Sequence, residues 1–247
     1  MKQNKYDDVN FFSEYKKMER SVNGLEGAGE WHVFKELLPE LQNKSVLDLG
    51  CGFGWHCRYA REQHARSVIG VDISEKMLQQ AHEMTNDSFI TYMKMPIEDI
   101  NFSDFQFDVV ISSLVFHYIQ SFEVVCKKIY DCLKPGGSFV FSVEHPIFTS
   151  RNVQDWYYDA KGHRLHWAVD HYQLEGLRET TFLTKNVMKY HRTLSTYIND
   201  LINAGFMIRK VREPIPSDEM IMKIPEMKDE LRRPMFLIIS AEKGNDY

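Results

Sequence analysis

The chain has 247 residues, with 30 basic and 35 acidic side chains and a formal net charge of −5 at pH 7. A chain of this length fits one large domain, or a core domain with an insertion, and is long enough to bury a sizeable core. The acidic balance argues against a general nucleic-acid-binding protein. No apolar run reaches bilayer length, and the first eight residues lack the apolar stretch of a signal peptide. The four cysteines form no CxxC pair, so we expect reduced thiols in a cytoplasmic protein.

The first part of the chain is predicted to be helical and partly irregular. Trp31, Phe34, Leu38 and Leu41 are spaced three, four and three residues apart, which places them on one face of a helix. The sequence therefore predicts an N-terminal helical segment over residues 1–43 and a main domain over residues 44–247.

Short apolar runs alternate with helical patterns from residue 45 to residue 241. The strand-like runs cover residues 46–49, 67–72, 107–112, 138–143, 206–211 and 235–240. Ser74 stands where the N-cap of an intervening helix belongs. The alternation predicts βαβ units, and therefore an α/β fold with a mostly parallel sheet.

This pattern breaks between about residues 147 and 190. The stretch is rich in aromatic side chains and contains three histidines from His163 onward, with His191 directly after it, so it is too polar for a sheet core and too aromatic for a linker. Residues 166–173 and 178–183 are predicted to pair as an antiparallel hairpin. We expect the whole stretch to form a cap over the sheet edge where ligands bind.

A glycine-rich turn follows the first predicted strand, in the run Asp48-Leu49-Gly50-Cys51-Gly52-Phe53-Gly54. Glycines allow the backbone to turn sharply and to approach a ligand closely. Asp72 lies eighteen residues after Gly54, at the end of the second strand, where a carboxylate can accept hydrogen bonds from both ribose hydroxyls. Together these features indicate a nucleoside site.

The spacing of the glycines distinguishes two classes of ligand. A dinucleotide fingerprint requires G-x-G-x-x-G, but here the third glycine comes one residue early and Trp55 occupies its expected place. A bulky indole there disfavours a pyrophosphate. Asp48 suits a ligand with a positive sulfonium or ammonium centre. An NAD-type oxidoreductase is the alternative enzyme.

The chain resembles the class I S-adenosylmethionine-dependent methyltransferases, specifically the small-molecule group called type 11. The matching motifs are residues 48–54, 71–74, 107–110 and 133–137, and they span residues 44–144 in the order of that family. The resemblance implies a Rossmann-like seven-stranded sheet with its last strand antiparallel and helices on both faces. It makes the cap an insertion after the fifth strand and residues 1–43 a cover over the cofactor site.

The resemblance implies S-adenosylmethionine as the cofactor. It also assigns the residues that contact this cofactor, position by position. The residues expected at the methionine and ribose parts are Gly50, Cys51, Gly52, Asp72, Ser113 and Leu114, with Asp48 beside them. Those expected at the adenine ring are Ile73, Ile97 and Glu98. Tyr15 and Arg20 are expected to close the site. Many relatives place an aspartate at the position of Pro96, and Glu98 or a backbone carbonyl is the candidate substitute.

Methyl transfer needs an acceptor aligned about 3 to 3.5 Å from the methyl carbon, with water excluded. A base helps only if the accepting atom carries a proton. The candidate bases are His145, favoured because the sheet fixes its position, and His117 and His191. The candidate residues of the substrate pocket are Glu144, Trp156, Tyr157 and Tyr190. The spacing of His163, His166 and His171 matches no metal site, so no metal is expected.

The sequence therefore predicts a methyltransferase that acts by in-line displacement on an oxygen, nitrogen or other nucleophile of a small molecule. We expect no nucleic-acid or membrane partner. A non-catalytic binder of S-adenosylmethionine or S-adenosylhomocysteine is the alternative from another class. The acidic charge and the lack of an Asn/Asp-Pro-Pro-Tyr motif disfavour a protein or RNA methyltransferase.

Overall fold

The structure is a computed structural model that describes residues 3–245, and eleven strands lie within them. They are β1 (Ser45–Leu49), β2 (Ser67–Asp72), β3 (Ile90–Lys94), β4 (Phe107–Ser113), β5 (Leu133–Glu144), β6 (Trp156–Tyr158), β7 (Arg164–Trp167), β8 (Gly176–Phe182), β9 (Thr184–His191), β10 (Phe206–Arg212) and β11 (Phe236–Lys243). Seven of these form one sheet in the order β10-β11-β5-β4-β1-β2-β3. Six of these strands run in one direction, and β11 runs antiparallel to both of its neighbours, β10 and β5. The predicted seven-stranded, mostly parallel sheet is confirmed.

Nine α-helices occur within the described residues. They are α1 (Val9–Tyr15), α2 (Glu19–Val22), α3 (Trp31–Leu37), α4 (Trp55–Glu62), α5 (Glu75–Glu83), α6 (Phe122–Cys132), α7 (Pro146–Thr149), α8 (Leu194–Asn203) and α9 (Asp218–Lys223). The Ser74 hydroxyl accepts from the Met77 amide at 3.1 Å, which confirms the predicted N-cap of α5. Helix α3 ends at Leu37, so Leu38 and Leu41 lie beyond the helix that was predicted to contain them.

Both faces of the sheet are buried, which explains why its central strands are continuously apolar. Neighbouring residues alternate between two clusters: Leu47 packs on the side of α6 and α8, and Val46 on the side of α3 and α4. On β5, Phe141 and Val140 divide in the same way. This burial on two sides is typical of parallel sheets with helices on both faces.

Two antiparallel hairpins lie between β5 and α8. One pairs β6 with β7, and the other pairs β8 with β9. The predicted pairing of residues 166–173 with 178–183 is therefore wrong. The chain turns within the first run at His171, where φ is +56°, and β8 instead finds its partner across the tight turn at Leu183.

The N-terminal residues contact both the core and the second hairpin. The Asp7 carboxylate accepts from the Ser74 hydroxyl at 2.6 Å and from the Lys76 amide at 3.1 Å, at the start of α5. The Gln3 side chain accepts from the Met188 amide at 2.8 Å and donates to its carbonyl. Within residues 3–245, no helix combines the length and apolar character needed to span a membrane.

Candidate functional site

A cavity of about 890 Å³ lies at the carboxyl ends of β1 to β5. This is the edge of a parallel sheet where ligands bind in open α/β folds. On one side, here called the loop side, its walls include Gly50, Gly52, Asp72 and Glu98. The opposite side, here called the hairpin side, includes residues of β5 and of the β8–β9 hairpin. Residues of the N-terminal segment line both sides.

The glycine loop on the loop side has no room for side chains. A Cβ on Gly50 would lie 2.3 Å from Val115, and one on Gly54 would lie 2.0 Å from the Tyr92 hydroxyl. Both glycines have positive φ, +76° and +74°. The glycines at these positions are therefore required by steric contact as well as by backbone conformation.

The amides of this loop bond within the protein. Gly50 and Cys51 donate to the Val71 carbonyl at 2.7 and 3.0 Å, and Gly54 donates to the Cys51 carbonyl at 2.8 Å. The Gly52 amide donates to the Asp72 carboxylate at 2.9 Å. Because these four amides already have partners, they do not form a cradle for a pyrophosphate.

Asp72 ends β2 and holds the loop with one oxygen. Its second oxygen accepts from the Ser74 amide at 2.8 Å. Burial raises the pKa of Asp72 to about 6, although these two amides act in the opposite direction. A carboxylate oxygen can accept more than one hydrogen bond, and Asp72 lines the cavity, so the carboxylate can also accept hydrogen bonds from a diol.

Asp48 and Cys51 do not line the cavity, contrary to the contacts expected of them. The Asp48 carboxylate accepts from the Cys57 thiol at 3.2 Å, and its other oxygen has no partner among residues 3–245. Burial raises the pKa of Asp48 to about 7. Cys51 packs against Gly70, since a Cβ there would meet its sulfur at 2.9 Å. Both side chains point behind the loop because the loop backbone itself faces the cavity.

The other ten expected cofactor residues line one continuous cavity. They are Tyr15, Arg20, Gly50, Gly52, Asp72, Ile73, Ile97, Glu98, Ser113 and Leu114. Pro96, which takes the place of the family's aspartate, lies among them. Leu114 has φ +56°, a conformation that is costly for a bulky residue and that concentrates at functional sites.

Arg20 is held in the cavity wall by a buried acid. One terminal nitrogen of its guanidinium lies 2.8 Å from each oxygen of Glu30. Glu30 also accepts from the Ser113 hydroxyl at 3.1 Å. Burial opposes ionisation of Glu30, but the Arg20 charge keeps the pKa of Glu30 below its ordinary value. The ion pair therefore fixes the Arg20 guanidinium, which belongs to the N-terminal segment, next to the end of β4.

The hairpin side contains a buried ion pair. The Lys189 ammonium on β9 lies 2.6 Å from the Glu144 carboxylate at the end of β5, and it also donates to Gln154 at 3.1 Å. Burial opposes ionisation of Glu144, but Lys189 outweighs it and keeps the pKa of Glu144 below its ordinary value. Glu144 is therefore an anion near neutral pH.

Of the three candidate bases, only His117 lines the cavity. Its Nδ1 accepts from the Glu144 amide at 3.4 Å, so the neutral ring carries its proton on Nε2. Burial lowers the pKa of His117 to about 4. The ring therefore presents a hydrogen-bond donor at neutral pH.

His145 and His191 lie outside the cavity wall, which corrects the preference for His145 as a base. His145 Nδ1 accepts from the Ile147 amide at 3.1 Å and caps α7, while its Nε2 lies 2.8 Å from Glu213. His191 bonds the Thr149 hydroxyl and the Tyr172 carbonyl, each at 2.9 Å. Both rings use both nitrogens within the protein, so neither has an atom left for an acceptor.

The expected substrate-pocket residues are also divided. Glu144 and Tyr190 line the cavity, but Trp156 and Tyr157 do not. Trp156 is buried between Trp167 and the Arg233 guanidinium, which lies 5.2 Å from its ring. Tyr157 is exposed on the outer face of β6, because neighbouring residues of a strand point to opposite sides.

Several wall residues were missed by the sequence interpretation, notably Lys189, Gln154, Tyr6 and Phe182. The spacing of Lys189 in the sequence offered a signal. Val187, Lys189 and His191 are two residues apart and are the buried residues of β9. A lysine on the buried face of a strand needs a buried partner. Tyr6 contacts Phe11, Tyr15 and Tyr118 edge-on, with ring centroids 4.8 to 6.2 Å apart. No comparable sequence signal marks Tyr6.

The sheet order, the glycine loop and the Asp72 carboxylate define a nucleoside-binding α/β protein whose loop has no place for a pyrophosphate. Comparison with known proteins agrees with this class. The family model described as a methyltransferase domain matches residues 47–141. A putative S-adenosylmethionine-dependent methyltransferase from Listeria monocytogenes is 52% identical, with a TM-score of 0.82, over 88% of this chain and 99% of that one.

A second solved structure, an S-adenosylmethionine-dependent methyltransferase from Mesorhizobium loti, is 44% identical, with a TM-score of 0.84, over 89% of this chain and 100% of that one. The chain therefore belongs to the S-adenosylmethionine-dependent methyltransferases. It is an enzyme whose cofactor is S-adenosylmethionine, so the oxidoreductase and the non-catalytic binder are set aside. A malonyl-[acyl-carrier protein] O-methyltransferase from Erwinia pyrifoliae is 37% identical, but over only 39% of this chain and 36% of that one.

Proposed function

We propose that this enzyme methylates a small molecule held on the hairpin side of the cavity. The observation that carries the proposal is the covering of the sheet edge from two directions. The N-terminal segment and the β8–β9 hairpin both line the cavity, and Gln3 joins them through its two hydrogen bonds to Met188. A macromolecular acceptor would have to displace both elements, whereas a small molecule fits between them.

The loop side suits S-adenosylmethionine, which supplies an electrophilic methyl group on a positively charged sulfur. The Asp72 carboxylate would accept from the ribose hydroxyls, since both its oxygens are already oriented by backbone amides. The glycine backbone at Gly50 and Gly52 permits close approach of the ligand. Arg20 would bind the carboxylate of the methionine moiety, because it is the cation in the wall next to Ser113.

The adenine ring would lie among apolar and acidic residues that follow β2 and β3. Ile73 and Ile97 would pack on its faces, and Glu98 would accept from its amino group in place of the aspartate that Pro96 replaces. Residues 1–43 would act as the cover of this site through Tyr15 and Arg20. The stretch from residue 147 to 190 would act as the cap over the acceptor.

Acceptor identity can be tested by following the methyl group. Purified enzyme and S-adenosylmethionine with an isotopically labelled methyl group are added to a desalted cell extract together with its separated small-molecule fraction. We expect the label in the small-molecule fraction and none in the protein or RNA fractions. Asp72→Ala enzyme is the control, since it lacks the proposed ribose contact. Label confined to protein or RNA contradicts the proposal.

A further inference from the structure

The charged groups on the hairpin side are not equally accessible. The Glu144 side chain is 12% exposed, whereas its partner Lys189 is 1% exposed. Both residues line the cavity, and the carboxylate is the more accessible member of the pair. We therefore expect a ligand on this side to contact the carboxylate in preference to the ammonium.

Lys189 is also poorly placed to bind an anionic acceptor. Its ammonium donates to Glu144 at 2.6 Å and to Gln154 at 3.1 Å, and it lies 4.9 Å from the centre of the Phe182 ring. One of its three N–H groups remains for a carboxylate or a phosphate, and the side chain is 1% exposed. Arg20 belongs to the loop side and is engaged by Glu30. Lys5, which also lines the cavity, donates to the Lys185 carbonyl at 3.4 Å.

Among residues 3–245, the hairpin side also offers no base suited to an acceptor that carries a proton. His117 holds its proton on Nε2, and His145 and His191 use both their nitrogens inside the protein. Glu144 is held ionised by Lys189 and is a weak base for that reason. An alcohol needs proton removal during methyl transfer, but a neutral amine does not.

We infer that the accepting atom is a neutral nitrogen of a small amine, and that Glu144 stabilises the positive charge this nitrogen acquires. The inference rests on the proposed function and names its substrate class. An amine that arrives as an ammonium first gives its proton to water. The nitrogen lone pair then forms the new bond to the methyl carbon as the carbon–sulfur bond breaks, and the electron pair of that bond stays on sulfur. The nitrogen becomes a cation, and its extra proton, where it has one, leaves to water afterwards.

Two features of the wall favour a cation at this place. A fixed carboxylate near the developing charge lowers the energy of the transition state more than that of the neutral amine. Tyr6, Tyr118 and Phe182 line the same cavity, and aromatic faces attract ammonium groups. Tyr118 lies close enough for the charge of Glu144, after burial, to contribute to raising the pKa of its hydroxyl.

The test measures binding, with no requirement for turnover. Enzyme saturated with S-adenosylhomocysteine is titrated calorimetrically with choline, which carries a trimethylammonium group, and with its uncharged isostere 3,3-dimethylbutan-1-ol. We expect choline to bind about tenfold more tightly or better, as a desolvated cation contact predicts. Equal affinities, tighter binding of the alcohol, or no binding of either probe overturns the inference.

The variants identify the residue responsible. Glu144→Gln leaves Lys189 buried and unpaired, so the double variant Glu144→Gln/Lys189→Met is the cleaner test. We expect it to lose the preference for choline. Glu179→Gln removes an exposed carboxylate from the neighbouring strand β8, outside the cavity, and should keep the preference. A preference that survives in the double variant also overturns the inference.

The same titrations separate this inference from the proposed function. If the enzyme binds S-adenosylhomocysteine but shows no preference for choline, the assignment of nitrogen as the accepting atom is wrong. The proposal of a small-molecule acceptor then still stands. Label found only in protein or RNA, in the experiment described above, removes the small-molecule proposal and the inference with it.

Discussion

One terminal nitrogen of Arg20 lies 2.8 Å from both carboxylate oxygens of Glu30, ten residues further along the chain. Glu30 is 2% exposed, so its charge depends on this single guanidinium and on the Ser113 hydroxyl. The pair joins the N-terminal segment to the end of β4. The stability of the fold and the wall of the cavity therefore depend on the same two residues.

Removing one partner of this pair should destabilise the protein. Arg20→Met leaves the Glu30 carboxylate buried without a counter-charge, and we expect a loss of about 3–5 kcal/mol in the free energy of unfolding. Arg20→Met/Glu30→Gln should recover most of that loss, as measured by chemical denaturation. The double variant should nevertheless bind S-adenosylhomocysteine more weakly than the wild type, because it lacks the guanidinium that we propose binds the carboxylate of this ligand. Wild-type affinity in the double variant would exclude Arg20 as that partner.

Asp72→Asn should weaken cofactor binding. The amide keeps one acceptor oxygen but replaces the other with a donor, which faces the Gly52 or the Ser74 amide. We expect S-adenosylhomocysteine affinity to fall about tenfold or more in calorimetric titration. Asp108→Asn is the control, since Asp108 accepts from the Ser45 amide and Lys134 away from the cavity. A similar loss in both variants would indicate a general effect on the fold.

Gly54→Ala should destabilise the fold through contact with Tyr92. The new Cβ would lie 2.0 Å from the tyrosine hydroxyl, in a backbone with φ +74°. We expect the free energy of unfolding to fall by about 1–3 kcal/mol, and Tyr92→Phe in the same chain to restore part of it. Gly162→Ala isolates the backbone cost, because Gly162 has φ +83° and no atom within 4 Å of a Cβ. Equal losses at both glycines would mean that Tyr92 moves away freely.

Asp48→Asn should change how stability depends on pH. Burial raises the pKa of Asp48 from 3.8 to about 7, so in this window the folded protein binds a proton that the unfolded chain releases. Stability from this group is therefore full below pH 3.8 and is lost as pH rises toward 7, by at most about 1.4 kcal/mol per pH unit. Chemical denaturation at pH 5 and pH 8 should show that the variant gains free energy of unfolding relative to the wild type, and that this gain is larger at pH 8. A difference that does not vary with pH would refute the raised pKa.

The sheet and the loop side were predictable because local patterns determine them. Continuous apolar strands reflect burial on both faces, and the glycines with Asp72 lie close together at the ends of β1 and β2. Motifs of this kind depend on backbone geometry, which a short sequence can specify. Asp48 and Cys51 were misplaced because spacing alone does not tell which way a side chain points from a tight turn.

The hairpin side was less predictable because its contacts join distant residues. Lys189 is hydrogen-bonded to Glu144, 45 residues away in the sequence, and His145 to Glu213, 68 residues away. A histidine at a strand end has the same sequence appearance whether it faces a ligand or caps a helix. Here Pro146 begins α7, so the His145 ring turns back to accept from the Ile147 amide.

The two residues of the Glu144–Lys189 ion pair come from different structural elements, which limits how chimeras of this family can be made. The sheet supplies the carboxylate and the hairpin supplies the ammonium, so a β8–β9 hairpin grafted from a relative must bring a lysine at position 189. Without it, the host retains a buried carboxylate that has lost its counter-ion. The acceptor preference that we propose and the docking of the hairpin are thus inherited together, while the glycine loop and Asp72 can stay unchanged.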